Sequence, residues 1–360
     1  MRTPVEQAPM GDTLPDLHVT HTRVAPVFVL APARSGTSLL GALLRKYLQI
    51  SFGTESQFIV RVARRVGRYG DLRHDAGLAR LVADVGRERC FTRWEKRFGF
   101  RVDREAVMRS VGTRTLAGVI DAYFQQLARH QGMVRWGDKT PEYVWNLGVL
   151  EHLFPDAQYV HIIRDGRDVA LSGFEQHFGA GNAYTAARRW RSAVSRIREF
   201  GAARPADRFA ELRYEDLLAD PARELLQLAR FVGVTDGDGV LARRIRDAVR
   251  DDVRVANSGK WKHGMAARDQ RVFAGEAGEW LERCGYDVPA RRIVIGPAER
   301  AYYEVDALAR RVARPSYWRD TAYRVSLRAA PALRWLRRGA VASRSQASGP
   351  VPGRGAPVTR

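Results

Sequence analysis

The sequence has few cysteines, few lysines and no long apolar run. Its two cysteines, Cys90 and Cys284, lie far apart in the chain, so a disulfide-stapled scaffold or a cysteine-ligated metal site is not expected. No stretch approaches the roughly 18 consecutive apolar residues of a membrane-spanning helix. The N-terminal stretch contains acidic residues and prolines and does not resemble a signal peptide. We therefore expect a soluble, cytoplasmic protein that needs no metal.

Positive charge is abundant and is carried almost entirely by arginine. Lysine and arginine together number 60 against 40 acidic residues, which gives a formal net charge of +20. Such a charge indicates affinity for anions in general, including nucleotides, sulfated groups, nucleic acids and anionic lipids, without choosing among them. The 360 residues, 45% of them hydrophobic, are typical of a globular protein with one large domain or two small ones.

Residues 26–47, PVFVLAPARSGTSLLGALLRKY, are the most informative stretch. The pattern predicts a buried strand over residues 27–30, a tight loop, and a helix with leucines at helical spacing. A loop that leads from a strand into a helix N-terminus points free N–H groups at one spot, where the helix dipole favours negative charge. The stretch therefore predicts a phosphate or sulfate-ester site, formed by Arg34, Ser35, Gly36, Thr37 and Ser38.

This loop differs from the Walker A pattern, in which a lysine directly precedes the hydroxyl residue. Here the basic residue, Arg34, stands two places before Gly36. The pattern P-x-R-S-G-T-S resembles the 5′-phosphosulfate loop of sulfotransferases that use 3′-phosphoadenosine 5′-phosphosulfate (PAPS). It is most similar to that of the tyrosylprotein sulfotransferases and their bacterial relatives. The alternative is an ordinary strand-to-helix turn with a surface arginine.

A second strand, turn and helix follows at residues 158–172. Arg164 ends the predicted strand QYVHII, and Ser172 lies eight residues later in the next helix. This pair resembles the 3′-phosphate motif of sulfotransferases in residue type and spacing. We expect Arg167 and Asp168 to be exposed charges at the helix start.

Two further residues are candidates for the chemistry itself. Glu55 is predicted at the start of a helix that runs to about residue 68, where the helix dipole alone would favour it. The segment GTES also resembles the segment of tyrosylprotein sulfotransferases that carries the catalytic glutamate, which implies that Glu55 is the general base. Lys139 follows a predicted strand at residues 133–136 and is either a solvated loop cation or a ligand at the strand end. The resemblance implies that Lys139 contacts the sulfuryl group, although Thr140 stands where the family has aspartate.

Three later residues are predicted to bind the nucleotide. Tyr214 lies close to the base, or alternatively in the core, and Glu215 and Asp216 start the next helix. The segment SGKWK resembles a loop that covers the nucleotide in bacterial sulfotransferases, which implies that Ser258 or Lys260 reaches a phosphate and that Trp261 flanks the adenine. The alternative for this segment is an exposed basic loop.

The predicted fold is α/β, a P-loop-like three-layer fold with a central parallel sheet flanked by helices. We expect a flexible tail over residues 1–24 and a sulfotransferase domain over 25–310, with a helical acceptor-side insertion at about 55–130. A basic helical extension is predicted over 311–340 and a disordered tail over 341–360. Residues 315–340 pack on the domain or on a partner in preference to an anionic membrane surface.

The resemblance implies transfer of a sulfuryl group from PAPS to an acceptor hydroxyl of a protein tyrosine, a carbohydrate or a small molecule. Glu55 would accept the proton, Arg34 and Lys139 would stabilise negative charge, and Arg164 and Ser172 would anchor the 3′-phosphate. One alternative is a P-loop kinase-like phosphotransferase. Another is a basic nucleic-acid-binding protein, but no recognised binding motif is present and nucleic acid is not an expected partner.

Overall fold

The computed structural model describes residues 19–174, 181–235, 239–253, 257–289, 292–315, 317–318 and 321. Residues 1–18 of the predicted N-terminal tail lie outside the described residues. So do most of the predicted extension over 311–340 and all of the predicted tail over 341–360.

Five parallel strands form the central sheet. The strands of the described chain are β1 (Thr20–His21), β2 (Val27–Leu30), β3 (Ile50–Phe52), β4 (Arg135–Asp138), β5 (Gln158–Ile163), β6 (Phe209–Arg213) and β7 (Val234–Thr235). The sheet has the order β3-β4-β2-β5-β6, while β1 and β7 form a separate antiparallel pair. The end of the segment predicted as a loose tail is therefore paired with a distant part of the chain, Thr20 with Thr235 and His21 with Val234.

Helices connect and cover the strands. They are α1 (Thr37–Leu48), α2 (Ile59–Ala63), α3 (Asp75–Val85), α4 (Arg89–Phe98), α5 (Arg104–Ser110), α6 (Leu116–His130), α7 (Leu147–Leu153), α8 (Gly166–Phe174), α9 (Ala183–Ala202), α10 (Tyr214–Ala219), α11 (Pro221–Val232), α12 (Val240–Ala248), α13 (Trp261–Gly264), α14 (Ala267–Arg283) and α15 (Pro297–Val312). Within the part of the chain that the structure describes, no helix has the length and apolar character to cross a bilayer.

The sheet is buried on both faces, as its central strand shows. Along β2, Val27 and Val29 belong to a core shared with α1, α10 and α11, whereas Phe28 and Leu30 belong to another core shared with α3, α6 and α7. Alternate side chains of a strand point to opposite faces, so this division places helices on both sides of the sheet. The predicted three-layer α/β fold is confirmed.

Several predicted elements differ in detail. The predicted strand at residues 133–136 lies at 135–138, and a 3₁₀ turn, Pro141–Trp145, precedes α7. The helix predicted from Glu55 is wrong, because residues 53–58 form a loop in which Gln57 has φ 58° and α2 begins at Ile59. Glu55 is therefore not a residue of the first turn, and the helix dipole does not explain its position.

The strand order places a crevice between β2 and β5. From β2 the chain crosses to the β3 edge of the sheet, and from β5 it crosses to β6 at the opposite edge. Loops that leave neighbouring strands in opposite directions open a crevice at the carboxyl ends of those strands, where ligands bind in open α/β sheets. The loops that carry Arg34 and Arg164 meet there.

Candidate active site

The loop after β2 has the backbone of an anion site. Arg34 and Gly36 have φ values of 73° and 94°, a left-handed conformation that is strained for Arg34 and accessible to glycine. It turns the chain into α1, whose first turn holds no acidic residue. The hydroxyl of Ser35 is buried and has no hydrogen-bond partner among the described residues. An anion at the start of α1 would therefore meet free amides, a free hydroxyl and no competing carboxylate in that turn.

The ring of Tyr214 packs against Gly36 of this loop. A Cβ at Gly36 would lie 2.4 Å from Cδ2 of the Tyr214 ring, so only glycine fits at residue 36. Tyr214 is buried, and its hydroxyl accepts a hydrogen bond from Asn257 Nδ2 at 2.7 Å. The guanidinium carbon of Arg164 lies 4.7 Å from the centre of the ring. Tyr214 therefore packs beneath the anion loop, and its proximity to a nucleotide base stays a prediction.

The two predicted phosphate motifs are in direct contact. Arg34 Nε donates to Ser172 Oγ at 2.9 Å, and Arg164 Nη1 donates to the backbone oxygen of Arg34 at 3.1 Å. Arg164 is buried, and its Nη2 donates to the backbone oxygen of Asn257 at 2.7 Å. A single guanidinium group thus links the first loop, the end of β5 and the segment at residue 257.

The prediction that Arg167 and Asp168 are exposed is wrong, since each is only 2% exposed. Asp168 accepts hydrogen bonds from the backbone amides of Gly259 at 2.7 Å and Trp261 at 2.8 Å. Arg167 forms an ion pair with Asp165, and its guanidinium carbon lies 3.5 Å from the centre of the Trp261 ring. Both residues are buried because the segment at residues 257–261, called here the closing loop, lies over the start of α8.

Lys260 and Trp261 are positioned by these contacts. Lys260 is exposed and donates through Nζ to Asn257 Oδ1 at 2.8 Å, and Asn257 in turn bonds to Tyr214 and Arg164. Trp261 stacks on Arg167. The closing loop is therefore attached to the crevice, and the phosphate and adenine contacts of the two residues stay predictions.

A pocket of about 350 Å³ opens beside the start of α1. Ser38, Glu55 and Lys139 line it together with Phe52, Phe98 and several arginines, namely Arg45, Arg93 and Arg97. A Cβ at Gly41 would lie 3.0 Å from Lys139 Cδ, so the lysine side chain crosses α1 where that helix lacks a side chain. The structure thus brings the predicted base and the predicted cation to one pocket at the phosphate loop.

Burial lowers the pKa of Lys139, and the charge of Glu55 acts in the opposite direction. The positive charges of Arg97 and Arg93 lower it further. A desolvated ammonium group in an arginine-rich pocket gives up its proton more readily than a surface lysine does. The protonation state of Lys139 therefore depends on the negative charges near it, among them that of Glu55. Its interaction with Glu55 is therefore an electrostatic feature of the pocket.

The loop that carries Glu55 is fixed from two sides. Arg93 of α4 donates Nη2 to the backbone oxygen of Glu55 at 2.5 Å and Nε to Thr54 Oγ1 at 3.3 Å. On the other side, the amide of Ser56 donates to Thr140 Oγ1 at 2.9 Å. These contacts hold residue 55 in the pocket without helical structure.

Asp138 connects this loop to Lys139. It is buried and accepts hydrogen bonds from Ser56 Oγ at 2.5 Å, the Lys139 amide at 2.7 Å and Tyr143 OH at 2.8 Å. Burial raises the pKa of Asp138, while these hydrogen bonds lower it. Thr140 also donates to Asp138, at 3.1 Å, so the threonine at the family's aspartate position bridges the two loops.

Comparison with known proteins identifies the family. A family model described as "Sulfotransferase family" matches residues 26–238, more than half of the chain. The chain belongs to the sulfotransferase family. The matched residues of this sulfotransferase include the Arg34 loop, Glu55, Lys139, Arg164, Ser172 and Tyr214, whereas the closing loop lies beyond the match.

The sulfotransferase is similar to curated relatives that act on different acceptors according to their names. It is 23% identical to protein-tyrosine sulfotransferase 1 of Danio rerio over 72% of each chain. It is 26% identical to omega-hydroxy-beta-dihydromenaquinone-9 sulfotransferase of Mycobacterium bovis over 41% of this chain, and it spans 40% of the length of that relative. Among solved structures, the sulfotransferase domain of the Synechococcus PCC 7002 olefin synthase is 23% identical, with a TM-score of 0.48 and coverage of 74% of this chain and 98% of that chain.

The predicted site residues of the sulfotransferase fall into two connected groups. One group surrounds the crevice, namely Arg34, Ser35, Gly36, Arg164, Ser172, Tyr214, Lys260 and Trp261. The other is the pocket with Ser38, Glu55 and Lys139, and Thr37 starts the helix between them. Their roles in binding and catalysis stay predictions. Sequence reasoning missed Asp138, Asp168 and Asn257. No local pattern marks Asp138 or Asp168, because the groups that they bind lie 82 and 91 residues away in the sequence.

The prediction for Glu215 was correct about its place at a helix start but did not include the contacts of its carboxylate. It lies in the first turn of α10, as predicted, but its carboxylate accepts hydrogen bonds from the Asp165 amide at 3.0 Å and Tyr286 OH at 2.8 Å. Burial raises its pKa. Glu215 therefore fixes the turn after Arg164, a supporting role that its position at a helix start does not reveal.

Proposed function

We propose that this sulfotransferase transfers a sulfuryl group from PAPS to an acceptor hydroxyl. The observation that carries the proposal is the contact between the two anion loops, through Arg34 with Ser172 and Arg164 with the Arg34 backbone. Two anion sites in one crevice suit a nucleotide that carries phosphate groups at both the 3′ and the 5′ positions.

The residues of the crevice fit such a donor. The free Ser35 hydroxyl and the amides at the start of α1 suit the 5′-phosphosulfate, since they are hydrogen-bond donors that an anion in the loop can accept from. Arg164 and Ser172 suit the 3′-phosphate, and Lys260 of the closing loop adds a further cation. Anchoring both ends of the donor fixes the position of its sulfur atom, which favours reaction by positioning.

The pocket supplies groups for the transfer step. The acceptor oxygen forms a bond to sulfur as the bond between sulfur and the 5′-phosphate oxygen breaks, and Glu55 takes the hydroxyl proton. Lys139, Arg34 and the loop amides stabilise negative charge on the sulfuryl oxygens and the leaving phosphate. The products are the sulfate ester, adenosine 3′,5′-bisphosphate and one proton on Glu55.

The acceptor is a protein tyrosine, a carbohydrate or a small molecule, and the cytoplasmic location stays a prediction. The names of the two relatives indicate different acceptors, a protein tyrosine for one and a menaquinone derivative for the other. Because one fold serves both, the acceptor is not assigned from family membership.

Calorimetric binding of adenosine 3′,5′-bisphosphate, compared with ADP and 5′-AMP, tests the donor assignment. We expect the bisphosphate to bind at least tenfold more tightly than 5′-AMP, which corresponds to about 1.4 kcal/mol. Arg164→Ala should remove this preference, whereas Lys262→Ala, a change at an exposed lysine just after the closing loop, should keep it. Equal affinity for all three nucleotides would exclude the donor assignment and favour the kinase or nucleic-acid alternatives.

A further inference from the structure

Helix α15 is attached to the domain by one face only. Asn182 Nδ2, at the start of α9, donates to the backbone oxygen of Tyr303 at 2.7 Å and to Asp306 Oδ2 at 2.9 Å. The ring of Tyr303 stacks on that of Tyr184 with 5.5 Å between their centres. Gly181 allows close contact with Ala307, since a Cβ at Gly181 would lie 2.5 Å from its Cα.

The opposite face of α15 is apolar and exposed. Val305 is 67% exposed and Leu308 is 58% exposed. At 100° per residue, this face is an uninterrupted stripe without a charged side chain, formed by Ala298, Ala301, Tyr302, Val305, Leu308, Ala309 and Val312. At the C-terminal end of the stripe, Trp318 donates Nε1 to the backbone oxygen of Val312 at 3.0 Å, and Val312 is 37% exposed. The rest of the stripe is more open, with Tyr302 60% exposed, which is unusual for an apolar surface.

The spacing of the stripe is that of a helix-pairing seam. Residues 298, 301, 305, 308 and 312 alternate steps of three and four, as the a and d positions of a heptad do. A stripe with this period fits into the holes of a facing helix. The occupant that the spacing favours is therefore another α-helix.

The flanking charges favour an antiparallel copy of the same helix. With Val305 opposite Leu308 of the second copy, Ala301 faces Val312, and Glu304 lies beside Arg311 of the second copy. The two-fold symmetry forms this Glu304–Arg311 pair twice. In a parallel pair, Glu304 would instead face Ala309, with no gain from charge.

We propose that the chain forms an antiparallel dimer through the exposed face of α15. Glu304 makes an ion pair with Arg188 of its own chain through Oε1, which holds its carboxylate at the edge of the stripe. Ala301 and Ala309 allow the two helix axes to approach closely. The seam is short and contains small side chains, so the dimer is weaker than an obligate one and depends on protein concentration.

Sedimentation velocity of the full chain, over a roughly hundredfold range of concentration, tests the dimer. We expect the mass to rise from the monomer value of 40.5 kDa to twice that value. Val305→Glu places a charge in the centre of the seam and should keep the chain monomeric. Val294→Glu is the matched control, because Val294 is 92% exposed outside α15 and its substitution should leave the dimer intact.

Cysteine cross-linking tests the direction of the helices. A chain with Ala301→Cys, mixed with a chain carrying Val312→Cys, should form the mixed disulfide in preference to either symmetric one; the native Cys90 and Cys284 are buried. A monomer at every concentration, a dimer that survives Val305→Glu, or dominant symmetric disulfides would each overturn the proposal. Binding of a monomeric chain to phosphatidylglycerol vesicles, lost in Val305→Glu, would overturn it in favour of a membrane-binding face.

Discussion

At the scale of single residues, the pocket contains a lysine whose pKa is lowered by burial. Lys139 is desolvated and surrounded by arginines, and its pKa is lower than that of an ordinary lysine. A group with a lowered pKa is protonated below that value and becomes neutral as the pH rises through it. Sulfuryl transfer that uses this charge should therefore decline on the alkaline side at a lower pH than an exposed lysine would give.

Lys139→Arg should move that alkaline decline to higher pH, even if the maximal rate falls. Arginine stays protonated to a pH above about 12, so its charge persists where lysine has lost its own. The measurement is kcat against pH for the natural chain and the variant. Lys46→Arg, a matched change at a lysine that pairs with Asp252, should leave the profile unchanged. An unmoved decline in Lys139→Arg would exclude Lys139 as the titrating group.

Asp138→Asn should separate turnover from donor binding. The carboxylate accepts from Ser56 and Lys139, so it sets the relative positions of the loops of Glu55 and Lys139 without lining the nucleotide crevice. We expect kcat to fall about tenfold or more, with the affinity for adenosine 3′,5′-bisphosphate within about twofold of the natural value.

A matched pair of changes at Thr140 checks the same bridge. Thr140→Ser keeps the oxygen that accepts the Ser56 amide and should keep kcat, whereas Thr140→Val should lower it. Equal losses of kcat and donor affinity in Asp138→Asn would show a general structural defect and contradict the positioning role.

At the scale of elements, the closing loop is held by the start of α8. Asp168 accepts two amides of the loop, and Arg164 donates to the carbonyl of Asn257, so the loop is fixed by the same turn that bears the predicted 3′-phosphate ligand. Loop order and donor binding are therefore coupled: a change that frees the loop also removes support from Arg164.

Asp168→Asn should loosen the closing loop and weaken donor binding. The amide side chain offers one acceptor oxygen where the carboxylate offers two, and it removes a negative charge 3.7 Å from Arg164. We expect faster hydrogen exchange at the amides of Gly259 and Trp261 and about tenfold weaker binding of the bisphosphate. Lys262→Ala should change neither, and unaltered exchange in Asp168→Asn would contradict the coupling.

Short sequence patterns predicted the strands and helices whose structure depends mainly on residues close to one another in the sequence. The run VFVL, followed by small residues and helical leucines, gave β2, its loop and α1, and QYVHII gave β5 with its bounds. The pattern did not predict the loop around Glu55, because its conformation depends on Arg93 and Thr140, which lie 38 and 84 residues away from their partners in the loop. Asp168 was misjudged for the same reason, since the loop that buries it is 91 residues later.

At the scale of the whole molecule, the net charge of +20 attracts anions that have no specific site. The crevice is distinguished by built contacts, with a buried arginine and a buried free hydroxyl, rather than by charge alone. Attraction of polyanions and recognition of the donor should therefore respond differently to salt and to mutation.

Poly(U) RNA should bind this chain in a way that falls steeply with salt and is unaffected by Arg164→Ala. Bisphosphate binding should instead be lost in that variant, because it depends on one buried guanidinium group. Fluorescence anisotropy for the RNA and calorimetry for the bisphosphate measure the two. RNA binding that resists high salt and is lost with Arg164 would contradict this separation and support a nucleic-acid function.

The scarcity of lysine makes chemical modification of amines informative for this chain, because few side chains can react. Of its five lysines, Lys139 lies in the pocket and Lys260 in the closing loop, and Lys262 follows directly. Because burial lowers the pKa of Lys139, a larger fraction of that amine is neutral and nucleophilic near neutral pH than in an ordinary lysine. Acylating reagents therefore find few side-chain amines on this arginine-rich chain, and one of them lies in the pocket, where a bound donor would shield it.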